Sequence, residues 1–177
     1  MRSNHFRQAF LSAVVLVVIS AASLHSQIAS DTEWPNYGND PGGMRYSPLS
    51  QVNRDNVSKL KLAWIFHTGD ISDGSHDRRR SGFEATPILV DGTLFFTTGF
   101  NRIIALDPET GQQRWAYDPQ VDLTLDYGDG LINRGVSTWL DPKAASAQPC
   151  HRRLYEATLD AQLISLDAAT GKPCMDF

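Results

Sequence analysis

The residues of this 177-residue chain whose types and spacing could carry chemistry begin with its cysteines. Cys150 and Cys174 are an even pair that permits one disulfide in an exported protein and reads equally as two free thiols. No CxxCH haem site, zinc-ligand spacing or HExxH helix is present. The run DRRR, Asp77 to Arg80, sits among Gly and Ser and reads as a solvated loop. Glu84 in FEATP, Arg134 in NRGVSTW and Thr158 in EATLDAQ supply a carboxylate, a permanent cation and a hydroxyl. Taken alone they are a strand-edge acid, a loop ion pair and an ordinary β residue. The formal charge of −4 gives nothing to favour nucleic acid.

Such residues need elements to position them. WPNYGNDPGG, from Trp34, is rich in Gly, Pro and Asn and reads as an irregular loop. NRDNVSKL, Asn53 to Leu60, predicts one helical turn capped by Asn53 or Asp55. From Leu62 onward the pattern is β. ATPILV (Ala85–Val90) and TLFFTT (Thr93–Thr98) flank Asp91-Gly92, a hairpin signal because Gly tolerates positive φ. RIIAL (Arg102–Leu106), the turn DPETG (Asp107–Gly111) and QQRWAY (Gln112–Tyr117) complete four antiparallel strands. GVSTW, RLYEAT, QLISL and KPCMDF (Lys172–Phe177) repeat the plan.

The repeat is visible in letters. IIALDPETGQQRW at Ile103 returns sixty residues later as LISLDAATGKPCM at Leu163. Ala105, Asp107, Thr110, Gly111 and Trp115 form A-x-D-x-x-T-G-x-x-x-W. Ser165, Asp167, Thr170, Gly171 and Met175 match them, with the turn kept and the Trp lost. Asp and Thr can hydrogen-bond the turn backbone, and the indole can pack between neighbouring sheets. LAWIFHTG at Leu62 is a partial echo, a lone fourth strand with Trp64 standing like Trp115. One four-stranded sheet cannot bury both faces, whereas sheets stacked around an axis can; the expected fold is all-β, a partial β-propeller.

The first thirty residues differ. Arg2 and Arg7 precede the apolar run Ala9–Ala22, and no acid appears before Asp31. This predicts a secretory signal and short linker over residues 1–30, with cleavage after Ala22 or slightly later; an uncleaved membrane anchor is the alternative. Residues 31–177 are then the exported, periplasmic propeller portion, about two blades plus one strand.

The docking motif, together with WPNYGNDPGGMRYSPLSQVNRDNVSKLKLAWIFHTGD, FEATPILVDGTLFFTT, NRGVSTW and RRLYEATLDAQLISLDAATGKPC in that order, resembles the dehydrogenases dependent on pyrroloquinoline quinone (PQQ). The resemblance implies an eight-bladed propeller carrying PQQ and usually Ca²⁺ on its axis. It implies oxidation of sugars, polyols or alcohols outside the cytoplasm, with electrons passing to a quinone or cytochrome. It assigns Glu84, Arg134 and Thr158 to the cofactor. PQQ carries three carboxylates, so a planar bidentate donor suits it. Many alcohol-oxidising members carry adjacent cysteines just before NRG; DYGDGLINRG has none, which points to sugar and polyol relatives. Eight blades at roughly 50–60 residues each exceed this length. The calcium ligands, catalytic aspartate and stacking tryptophan are therefore expected beyond Phe177, and the chain reads as an N-terminal portion inactive alone. The rival reading is a non-catalytic propeller, a scaffold or binding module of the cell envelope, which would need neither Glu84 nor Arg134.

Overall fold

The computed structural model describes residues 33–40 and 42–177; the expected signal segment lies outside them. Among the described residues no helix is long and apolar enough to cross a membrane. The helical element is one 3-10 turn, η1 (Val57–Lys59). Its N-cap is Asn56, which makes no side-chain cap bond, rather than Asn53 or Asp55. The Asn53 and Asn56 side chains are turned to other backbone groups: Asn56 Oδ1 accepts from the Asn53 N–H, and Asn53 Oδ1 from the Asp55 N–H.

Seven strands form two antiparallel meanders. β1 (Ile88–Val90), β2 (Thr93–Thr97), β3 (Ile103–Leu106) and β4 (Gln113–Tyr117) make a four-stranded sheet in chain order. β5 (Ser137–Leu140), β6 (Arg152–Ala157) and β7 (Leu163–Asp167) make a three-stranded one. Asp91 and Gly92, at φ 49 and 64, close the β1–β2 hairpin at the pair Val90↔Thr93. Both residues in the left-handed region is the type I′ geometry that matches strand twist.

Two expected strands are absent as strands. KPCMDF keeps one isolated bridge, Leu166↔Pro173, so the second sheet has three strands rather than four. Pro173 has no N–H to donate to a ladder, and Cys174 is committed to a disulfide with Cys150. LAWIFHTG is irregular rather than a strand, having no ladder partner among the described residues.

The core lies between the sheets. Ile88, Val90, Phe95, Ile103 and Ala105 of the first pack with Val136, Leu154, Leu166 and Ala168 of the second. The other face of the first sheet buries Phe96, Ile104 and Leu106 under Trp64 and Phe66. Both tryptophans of the repeat dock alike. The Trp64 indole lies on Gly111 and donates from Nε1 to Pro108 O at 3.1 Å; that of Trp115 lies on Gly171 and donates to Ala168 O at 3.1 Å. In each turn Asp107 or Asp167 accepts from the backbone N–H and hydroxyl of Thr110 or Thr170. The repeated letters thus encode a lateral contact: each turn is the seat for the tryptophan preceding it in the chain.

Candidate functional site

The segments leading into the two sheets run side by side. Ser81 and Leu131 form a parallel bridge, the Gly82 N–H donates to Leu131 O at 3.0 Å, and the Thr86 N–H donates to Arg134 O at 3.4 Å. This pairing sets Glu84, just before β1, beside Arg134, just before β5. Arg134 Nε lies 3.4 Å from Glu84 Oε2. Both side chains are exposed, 73% and 49% respectively. That bond is the one hydrogen bond of the Arg134 side chain among the described residues. Its two terminal amino groups remain open as a planar fork, a geometry that matches a carboxylate.

Thr158 follows β6 at the same end of the second sheet, since β6 runs antiparallel to β5. It is buried, and its hydroxyl is engaged locally, donating to Asp160 and accepting from the Gln162 N–H at 3.0 Å. The first of these bonds is the main reason the Asp160 carboxyl titrates below the ordinary range. The structure brings Glu84 and Arg134 into contact; Thr158 makes no hydrogen bond to either among the described residues, and its link to the rim is indirect, through its neighbour Ala157, whose carbonyl accepts from the Asn133 side-chain amide at 3.3 Å.

Beneath this rim lies a buried polar cluster. Asn133 Nδ2 donates to Glu156 Oε1 at 3.0 Å and lies 3.4 Å from Asn101 Oδ1. Asn133 Oδ1 accepts from the Thr97 hydroxyl at 2.8 Å and from the Gly135 N–H at 3.0 Å. Asn101 Oδ1 accepts from the Leu159 N–H at 2.8 Å. Glu156 is 1% exposed, and burial pushes its carboxyl up to about 8, so it is largely protonated at neutral pH. A sequence signal for it exists: in RLYEAT the period of two sets Glu156 on the face of Leu154, which is fully buried.

No group of three or more His, Cys, Asp or Glu side chains is placed to hold a metal ion among the described residues. Cys150 and Cys174 form a disulfide with Cα atoms 5.9 Å apart.

Antiparallel meanders laid face to face, each turn seating the tryptophan before it, define blades of a β-propeller. The chain belongs to the PQQ family: the model for the glucose/ethanol/alcohol dehydrogenase β-propeller domain matches residues 34–177. It is 39% identical over 153 residues to the quinoprotein glucose dehydrogenase of Escherichia coli K12, covering 84% of this chain and 19% of that protein. It is 39% identical over 146 residues to the glycerol dehydrogenase large subunit of Gluconobacter thailandicus, covering 82% of this chain and 19% of that one. Among solved structures, the quinohemoprotein alcohol dehydrogenase of Comamonas testosteroni superposes with a TM-score of 0.60 at 34% identity, over 80% of this chain and 18% of that chain. The chain spans about a fifth of the length of these curated relatives.

Proposed function

We propose that this chain supplies part of the PQQ cradle of a dehydrogenase that oxidises a sugar or polyol outside the cytoplasm. The observation that carries the reading is the Glu84–Arg134 pair: an exposed guanidinium with an open fork, held by one carboxylate at 3.4 Å, in a chain of this family. The donor chemistry fits an acidic cofactor. Arg134 would take a carboxylate or quinone oxygen, and Glu84 would keep the guanidinium oriented and its positive charge balanced. Thr158, with its hydroxyl turned to Asp160, would contribute beside them. Held beside these residues, PQQ would supply hydride-accepting redox chemistry for oxidation of a CH–OH group, with a quinone or cytochrome as the expected electron acceptor. Ca²⁺ would be held by residues other than those described here.

Three observations support the substrate class and compartment. Relatives at 35–39% identity are, by their names, dehydrogenases of glucose and glycerol beside one of quinate/shikimate and one of alcohol at 38%, and no cysteine precedes NRG, which favours the sugar and polyol side. A disulfide at Cys150–Cys174 suits an oxidising compartment.

The test is titration of PQQ into the apo-form of a full-length relative carrying this segment, and into two variants of it. Arg134→Ala is expected to weaken binding roughly 10- to 100-fold, the loss of a charge-assisted donor. Arg134→Lys recovers only part of it, since an ammonium lacks the fork. Equal affinity in all three proteins would remove Arg134 from the site.

A further inference from the structure

We propose that Glu156 is a positioning residue for the Glu84–Arg134 rim: from inside β6 it holds Asn133, and Asn133 holds the turn that presents Arg134. The inference rests on the cofactor reading above for the purpose of that rim. Its geometry stands apart from it.

Asn133 is nearly fully buried and every polar atom of its amide is engaged. Its oxygen accepts from the Gly135 N–H, spanning Arg134 itself. A turn closed in this way fixes the backbone of the middle residue. The Arg134 carbonyl then accepts from Thr86, two residues past Glu84, so the two halves of the rim share one backbone contact. Gly135 sits at φ 120, with space for a Cβ limited to 3.0 Å from Thr86 O.

What fixes Asn133 in turn is a choice of amide orientation. Its Nδ2 must point to acceptors and its Oδ1 to donors. Glu156 Oε1, at 3.0 Å, is the shortest acceptor on the Nδ2 side. Glu156 Oε2 is buried without a hydrogen-bond partner among the described residues. A buried carboxyl with an orphaned oxygen is costly, and an apolar side chain of similar volume is often the more stable choice. Stability therefore gives no reason for a glutamate here, whereas the orientation of Asn133 does. The carboxyl acts in its neutral form, because burial raises it to about 8.

Three proteins test this: wild type, Glu156→Gln and Glu156→Met. Gln keeps the acceptor, while Met keeps the volume and removes it. Amide hydrogen exchange of the apo-protein is read at Gly135 and Thr86, with Ile104 in β3 as an internal reference. Met should accelerate exchange at Gly135 and Thr86 about 10-fold or more while Ile104 changes less than about 3-fold; Gln should resemble wild type throughout. Glu156→Ala repeats the measurement should Met fail to fold. Unchanged exchange at Gly135, or acceleration shared equally by Ile104, would overturn the proposal. The second readout is PQQ affinity. Glu156→Met should bind PQQ more weakly, and the double variant with Arg134→Ala no more weakly than Arg134→Ala alone, because Glu156 acts through Arg134. An additive loss would overturn the route through Arg134. Wild-type affinity in Arg134→Ala would sink the cofactor reading, and with it the purpose given to the network, whatever the exchange data show; wild-type exchange in Glu156→Met sinks the positioning alone.

Discussion

Trp115 lies so close to Gly171 that a Cβ on the glycine would stand 2.6 Å from the indole. Trp64 and Gly111 repeat the relationship at 2.5 Å. Gly111 and Gly171 are doubly determined, since their φ values of 71 and 70 also favour glycine. The indole lies over the turn, packs at a tilt against Phe95 with ring centroids 5.7 Å apart, and donates to the carbonyl of Ala168. One contact therefore joins the end of one blade to the turn of the next.

Trp115→Ala is expected to cost roughly 3–5 kcal/mol, the range for deleting a packed aromatic. Gly171→Ala should be damaging too, because its new methyl meets the rigid ring system rather than a flexible chain end. Chemical denaturation with two-state fitting measures both. A loss within about 0.5 kcal/mol, the usual surface value, would place Trp115 outside the core.

The disulfide braces the same turn. Cys150 donates its N–H to Asp167 Oδ2, and Asp167 begins the turn that receives Trp115. At a sequence separation of 24, loop closure contributes on the order of 3 kcal/mol. Cys150→Ser with Cys174→Ser, or reductant, should lower the unfolding midpoint of the second sheet. A midpoint indifferent to reductant would show that the bridge is not formed or contributes nothing.

The Glu84–Arg134 pair should matter little to folding. Both groups are exposed, and an exposed pair contributes about 0–1 kcal/mol. Glu84→Gln is expected to change stability by less than about 0.5 kcal/mol while altering PQQ affinity. A large stability loss in that variant would mark the pair as structural, and the rim would lose its claim to be a binding surface.

How much of this was legible in the sequence follows from what each feature depends on. The Asp91–Gly92 hairpin and the Asp107 and Asp167 turns are local, set by φ preferences and by side chains bonding their own backbone, and the letters announce them. The repeat spacing showed which tryptophan belongs to which copy, and Trp64 docks as its motif suggests despite lacking a strand. Strand status itself was not legible at 62–69 or 172–177, because a strand exists only through its partner. The family motif pointed to Glu84 and Arg134, and the parallel lead-in segments bring them together. It passed over Asn133, next to Arg134, and Glu156, two residues before Thr158, whose meaning comes from their bond to each other and from Asn133's contacts with Asn101 and Thr97 of the neighbouring blade.

Glu156 carries the pH dependence. Its folded value of about 8 stands above the ordinary 4.5 because burial disfavours the charged form. The unfolded chain therefore releases this proton first. Below about pH 4.5 the carboxyl is neutral in both states and costs least; as pH rises through 8 the unfolded state gains progressively, and above 8 the penalty is complete. Its size is roughly 3–5 kcal/mol, from about 1.4 kcal/mol per unit. The aspartates act in a different window. Asp107, held to about 2 chiefly by Arg114, contributes stability that is lost only as pH falls below the ordinary carboxylate range. Unfolding midpoints at pH 5.5 and 8.5 separate the two. Wild type should be clearly less stable at 8.5, and Glu156→Gln, which cannot ionise, should lose most of that difference. The same slope in both proteins would mean that Glu156 is charged or solvated in the folded state, and the neutral carboxyl beneath Asn133 would have to be abandoned.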